Sequence, residues 1–342
     1  MIPQKAVYGM GKHGHRGNMA STVSRRHLLA LGMGAFATCP AAAQSDFPSR
    51  PIRLIVPYPP GGPTDVMARL VSQFLSESLG QQIFVDNRPG AGSTLGGKMA
   101  ATADPDGGTL LLGTPATLAI GPALYKSIEY DPNSFVPVAM LATFPFVMIA
   151  GPKAPVTNIA EVLAYAKANP GKLSLGIPNG APPHMLAVWF KNLTATDILL
   201  VPYKGAAGGV TDLIGGQIDL GIEPLSVVRA HLGDGSVRAL ATTTAERLPE
   251  IPDVPTMIES GIAGFVASSW SGILAPPGTP RPIVDKLNSA VNAILGSAEM
   301  RGKLKSLGAQ GKPGTPENFT AFIAADLPKW TAMAKLSGVS AE

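Results

Sequence analysis

Only one cysteine occurs in 342 residues, Cys39, and it lies close to the N-terminus. Beyond it the chain has no thiol, which excludes a disulfide framework, a cysteine nucleophile and a cysteine-ligated metal there. Histidine is nearly as scarce, since past residue 43 only His184 and His231 remain. No Gly-x-Ser-x-Gly elbow, His-Glu-x-x-His pair or Gly-Lys-Ser/Thr ending is present. The enzyme classes that depend on those arrangements lose their support. Trp189, Trp270 and Trp330 are too scattered to form a stacking platform. Charged residues make up only 15% of the chain while 45% is hydrophobic, a balance that suits packed cores rather than disorder.

The formal charge of +4 is concentrated at one end. Residues 1–43 carry Lys5, Lys12, Arg16, Arg25 and Arg26 and no acids, which leaves 22 basic and 23 acidic residues in the rest. A near-neutral remainder without a basic cluster excludes nucleic acid as the expected partner. Arg25-Arg26 precedes the short apolar run 28–36, and Ala41-Ala42-Ala43 follows. That layout predicts a signal peptide over 1–43, of the Sec or twin-arginine type, and export to the periplasm. Translation starts at Met1 or Met19. The run is too short to span a bilayer, and the apolar stretch 136–150 is broken by Pro137 and Pro145.

Downstream of Gln44, strand and helix patterns alternate, which predicts an α/β fold with largely parallel sheets. Strands are expected at 52–56, 83–85 and 109–112, with helices at 64–79 and 93–101. A second region begins near Gly151, with helices at 159–168 and 184–191 and strands at 173–175, 198–202, 218–221 and 239–242. Long helices are expected at 281–295, 299–307 and 316–336. If these last helices pack back on the first region, the chain crosses between two lobes twice, near 150 and 268. Lobe 1 is then 46–150 plus 268–342, lobe 2 is 151–267, and a ligand belongs in the cleft between them.

Three glycine-bearing turns lead from a strand into a helix. The first, Val56-Pro57-Tyr58-Pro59-Pro60-Gly61-Gly62-Pro63-Thr64-Asp65, suits a carboxylate held by helix N-terminal amides, or equally an ordinary turn capped by Thr64 or Asp65. The second is Gly176-Ile177-Pro178-Asn179-Gly180-Ala181-Pro182-Pro183-His184, where His184 is a hydrogen-bonding residue before it is a catalytic one. In the third, Val201-Pro202-Tyr203-Lys204-Gly205, Lys204 pairs with an anion or is simply solvated. Convergent turns without a nucleophile or metal set favour binding over turnover, with no cofactor.

In order along the chain stand Pro48-Ser49-Arg50-Pro51-Ile52, Pro60-Gly61-Gly62 with Asp65, Asp86-Asn87-Arg88-Pro89-Gly90-Ala91-Gly92 and Ala103-Asp104-Pro105-Asp106-Gly107. Asn169-Pro170-Gly171-Lys172, Val201-Pro202-Tyr203-Lys204-Gly205, Asp253-Val254-Pro255-Thr256, Ala275-Pro276-Pro277-Gly278-Thr279-Pro280 and Lys329-Trp330 follow. In this order and spacing the chain resembles the periplasmic solute-binding proteins of tripartite tricarboxylate transporters, the Bug family, over about 47–342. The resemblance implies a two-lobed Venus-flytrap fold of the type II-like periplasmic binding class, each lobe a mainly parallel sheet flanked by helices. It implies a monomer that binds a small carboxylate and delivers it to a large and a small membrane subunit. Carried onto matching positions, the ligand contacts are Tyr58, Gly61, Gly62, Asp65 and Thr114 from lobe 1, and Asn179, Gly180, His184, Lys204 and Gly205 from lobe 2. The loop before His184 is about one residue shorter than the family pattern and lacks its hydroxyls. Glu223 falls in a variable part, where a cleft-facing carboxylate would meet a ligand amine. A sensory adaptor, or a hydrolase or isomerase using His184, are the rival functions.

Overall fold

The computed structural model describes residues 47–338. The leader readings (the signal peptide, Cys39 and the choice of start) lie outside the described residues. The first parallel unit is β1 (Ile52–Val56), α1 (Pro63–Leu79), β2 (Ile83–Asn87), α2 (Thr94–Ala101) and β3 (Thr109–Gly113). A π turn at Ala116–Ile120 and the short α3 (Gly121–Leu124) lead to β4 (Val136–Ala150). The second unit follows as α4 (Ile159–Ala168), β5 (Ser174–Pro178), α5 (Pro182–Thr194), β6 (Leu199–Tyr203), α6 (Ala206–Gly215), β7 (Leu220–Pro224), α7 (Leu225–Gly233) and β8 (Arg238–Thr242). The chain then returns through β9 (Ser268–Ala275), α8 (Arg281–Gly296), α9 (Ala298–Ser306), β10 (Gln310–Gly311) and α10 (Pro316–Leu336).

The strands form one path, β2-β1-β3-β9-β4-β7-β5-β6, with β8 and β10 also paired to β4. Pairing is parallel within β2-β1-β3 and within β6-β5-β7, as the alternating pattern predicts. The middle differs from expectation. β3-β9, β9-β4 and β4-β7 are antiparallel, because β4 leaves the first unit and β9 comes back to it.

β4 was legible only as an apolar stretch. It is a 15-residue strand that pairs with β9 over 136–145 and with β7 over 146–150. Its two prolines sit where a missing N–H is tolerated. The register with β9 shifts between Pro137 and Ala139, and Pro145 is the last residue before the change of partner.

Three buried clusters hold the layers. Ile52, Leu54 and Val56 of β1 pack with Met67 and Val71 of α1 and with Leu287 and Val291 of α8, so α8 does return to the first unit. Val147 and Ile149 of β4 pack with Val210, Leu213 and Val228 of α6 and α7. The remaining cluster joins both units, from Leu111 and Phe135 to Met185 and Phe190. α10 takes part in it and touches α5 as well as β4, so the last helix is not confined to the first unit. Trp270 of β9 and Trp330 of α10 both donate indole N–H to Asp326 Oδ2, at 2.8 and 2.7 Å, which ties the returning strand to that helix.

Candidate ligand-binding site

Strand direction places the candidate loops. β3 opposes β9 and β9 opposes β4, so β4 runs the same way as β1 and β3, whereas β5, β6 and β7 run against it. The carboxyl ends of the two parallel units therefore point toward each other along β4. The registers say where they meet. Gly113 lies opposite Gly272, which lies opposite Met140, while Pro224 lies opposite Phe146. The turns after β1 and β3 approach from one side the point where β4 changes partner. Those after β5, β6 and β7 approach from the other.

The first turn is held by its own side chains. Gly61 adopts φ 84, a conformation that suits glycine, and donates its amide to Asp65 Oδ2 at 2.9 Å. Asp65 is only 2% exposed, and its other partners are Arg69 Nε at 2.9 Å and Asn87 Nδ2 at 2.9 Å. Burial pushes this carboxyl upward, but the hydrogen bonds from Arg69, Gly61 and Asn87 outweigh it and hold it at about 2. Asn87 also donates to the Tyr58 carbonyl at 3.1 Å. The Tyr58 hydroxyl and Thr114 Oγ1 are 2.7 Å apart, which links the turn after β1 to the end of β3. Burial raises the Tyr58 hydroxyl above its ordinary range despite hydrogen bonds with Thr114 and Ser93.

The capping expectation for this helix is corrected here. Gly62 is the N-cap of α1, and neither Thr64 nor Asp65 caps it by side chain. The Asp65 carboxylate is turned back onto Gly61 and Asn87 instead, leaving the first helical amides without a side-chain acceptor.

The second turn repeats the device. Gly180, at φ 71, donates its amide to His184 Nδ1 at 3.2 Å, again four residues on. His184 is 5% exposed and its pKa is lowered by burial, which keeps a neutral ring with Nδ1 as acceptor. The other amides here are also used internally. Asn179 N–H goes to the Tyr203 carbonyl at 3.0 Å, Ala181 N–H to Pro178 at 3.1 Å and His184 N–H to Ala181 at 3.0 Å. Pro182 and Pro183 have no N–H to give. The start of α5 therefore offers the exposed Asn179 side chain and the far side of His184, not a row of amides.

The third turn is the open one. Gly205 is the N-cap of α6, no side chain caps that helix, and Ala206, Ala207 and Gly208 supply its first amides. Lys204 and Gly205 are exposed. A Cβ on Gly205 would meet nothing within 4 Å, and one on Gly62 only the Pro59 carbonyl at 3.9 Å, so both backbones stand clear of the protein around them. By contrast α4, α9 and α10 have side-chain caps at Asn158, Ser297 and Thr315.

The structure thus joins Tyr58 with Thr114, Gly61 with Asp65, and Gly180 with His184, and sets Asn179 beside Tyr203. Two contributors were missed by sequence reasoning. Asn87 braces the first turn from β2. Tyr203, whose hydroxyl donates to Asp212 Oδ2 at 2.8 Å, braces the third. Both stood inside the motifs quoted above, and nothing local marked them as braces. A cavity of about 640 Å³ between the π turn and α10 is lined by none of the candidate residues. Among the described residues no cluster of His, Cys, Asp and Glu is arranged for a metal, and no helix is long and apolar enough to cross a membrane.

Comparison with known proteins agrees with this frame. The family described as the tripartite tricarboxylate transporter family receptor matches residues 67–339. Protein BugT of Bordetella pertussis (strain Tohama I) is 38% identical over 295 residues, covering 85% of this chain and 90% of that protein. Among solved structures, R. palustris Rpa4515 with adipate is 36% identical with a TM-score of 0.77, covering 86% of this chain and 99% of that one. MatC (Rpa3494) from Rhodopseudomonas palustris with bound malate is 33% identical with a TM-score of 0.73, covering 84% and 100%. The strand order, the turn geometry and these matches lead to one assignment: the chain belongs to the tripartite tricarboxylate transporter receptor family of periplasmic solute-binding proteins.

Proposed function

We propose that this protein captures a small carboxylate in the periplasm and presents it to the large and small membrane subunits of a tripartite transporter. The two parallel units act as lobes, with residues 46–150 plus 268–342 assigned to one and 151–267 to the other, β4 and β9 as the hinge, and α10 reaching across to α5. The observation that carries the reading is that two helix starts without side-chain caps, α1 after Gly62 and α6 after Gly205, follow strands of two units whose carboxyl ends point toward each other along β4. Each start carries a partial positive charge and unpaired N–H donors, so an anion that touches both stabilises the closed form.

In this reading Gly62, Gly205 and the amides that follow them make the closest backbone approach. Tyr58, Thr114, Asn179, Lys204 and the outer nitrogen of His184 complete the wall. Asp65, Gly61 and Gly180 act through the shape of their turns, because their polar groups are already bound. Relatives with adipate and with malate favour dicarboxylates as the first ligands to try. The ligand leaves unchanged.

A thermal-shift screen of organic acids tests the proposal. A true ligand at 100 times its dissociation constant adds about 2.7 kcal/mol to stability. A panel of dicarboxylates, tricarboxylates and acidic amino acids that leaves Tm unmoved would sink it, and so would release of a product from a bound acid.

A further inference from the structure

Among the described residues two acids are buried, Asp65 and Glu223, and only Asp65 has hydrogen-bonding partners that explain its place. Glu223 sits at the end of β7, opposite Val147, one residue beyond the point where β4 changes partner. Residues directly opposite in an antiparallel pair share a face. Glu223 therefore lies on the face of the Val147, Val210 and Leu225 cluster, at the end nearest the converging turns. It is 4% exposed, and its Oε2 is buried without a hydrogen-bond partner. Ser226 Oγ, three residues on at the start of α7, is also buried and unpartnered. Orphaned buried polar atoms are rare in folded proteins, and two at one strand end call for a missing partner. Burial raises the Glu223 carboxyl to about 8, with no opposing effect from a cation. At neutral pH it is an un-ionised acid, a hydrogen-bond donor in an apolar wall.

We propose that Glu223 is the specificity residue of this cleft, donating a hydrogen bond to the second carboxylate of a dicarboxylate whose first carboxylate is held at the helix starts. The inference rests on the anion-binding reading above and adds to it the group that separates a diacid from a monoacid. An ionised Glu223 would repel the second carboxylate, whereas an un-ionised one shares its proton with it. The ligand amine considered from the sequence calls for a charged partner, which the apolar surroundings disfavour.

The test uses the purified chain, isothermal calorimetry and α,ω-dicarboxylates of four to eight carbons, each paired with the monocarboxylate of equal length, for example adipate with hexanoate. Glu223→Leu should weaken the preferred dicarboxylate tenfold or more while leaving its monocarboxylate within about threefold, the loss expected when one partner of a buried hydrogen bond is removed. Glu223→Gln keeps a donor and should stay within about threefold of wild type for the dicarboxylate. Circular dichroism confirms that both variants are folded. Wild-type affinity in the Leu variant, equal loss for both acids, or a Gln variant as weak as the Leu variant would each overturn the role of Glu223 and leave the anion-binding reading standing. Failure of the wild type to bind any carboxylate would overturn both.

Discussion

Gly180 gives its amide proton to His184 Nδ1, 3.2 Å away and four residues on. In the other unit Gly61 does the same with Asp65 Oδ2 at 2.9 Å. Both glycines have positive φ, and both acceptors are almost fully buried. An inward-facing side chain thus pins the turn at each side, and the pinned turn decides where the neighbouring backbone stands.

The His184 contact makes a prediction about pH. Burial lowers the folded-state pKa of His184, so the unfolded chain takes up a proton first as pH falls. The stabilising contribution is full above the ordinary histidine range and is lost as pH drops through it. His184→Ala should flatten this part of the stability profile and weaken ligand binding through the loosened turn. Chemical denaturation between pH 5 and 8 and calorimetry check it.

Asp65 titrates lower. Its carboxyl is held at about 2 against an ordinary 3.8, so its contribution is fully present above pH 3.8 and is lost as pH falls through 2. That shift corresponds to about 2 kcal/mol at neutral pH. Asp65→Asn should cost about that much at pH 7, and the gap to wild type should begin to narrow below about pH 3.8 and close only near pH 2. Urea unfolding at several pH values measures it.

Glu223 has the opposite sign. Its pKa is raised from 4.5 to about 8, so the folded state holds a proton that the unfolded state has released. Relative to Glu223→Gln, the wild type should lose stability as pH climbs from 4.5 to 8, with a slope near 1.4 kcal/mol per pH unit. A pH-independent difference between the two would contradict the buried, un-ionised acid.

Gly62 has φ −78 and Gly205 is extended at −177, and a side chain at either position has room. Gly62→Val and Gly205→Val should therefore fold normally while binding the ligand at least tenfold more weakly, because the new side chains occupy the anion's approach. Unchanged affinity with unchanged Tm would move the ligand away from these helix starts. Gly61→Val, at φ 84, should cost stability as well.

Local signals explain which elements were legible. The helix Ile159–Ala168 matched its expected bounds because Asn158 caps it and Asn169-Pro170-Gly171 stops it. The helix Pro316–Leu336 matched too, starting from a capping box at Thr315 and Asn318. The turn amides were less legible. Whether Asp65 accepts from its own helix or from Gly61, and whether Gly180 is free or bound to His184, depends on backbone angles that residue types leave open.

Sequence by itself determined the alternation of strands and helices, the glycine-bearing turns at three strand ends, and the motif order of the receptor family, because these depend on periodicity, capping and neighbouring residues. Tertiary structure alone decided that a proline-bearing apolar stretch is the strand joining both units, that the units' carboxyl ends face each other, and that Glu223 is buried at that junction. Those facts depend on pairings between residues far apart in the chain, such as Val147 with Glu223 and Met140 with Gly272. Only the closed network of strand registers specifies them.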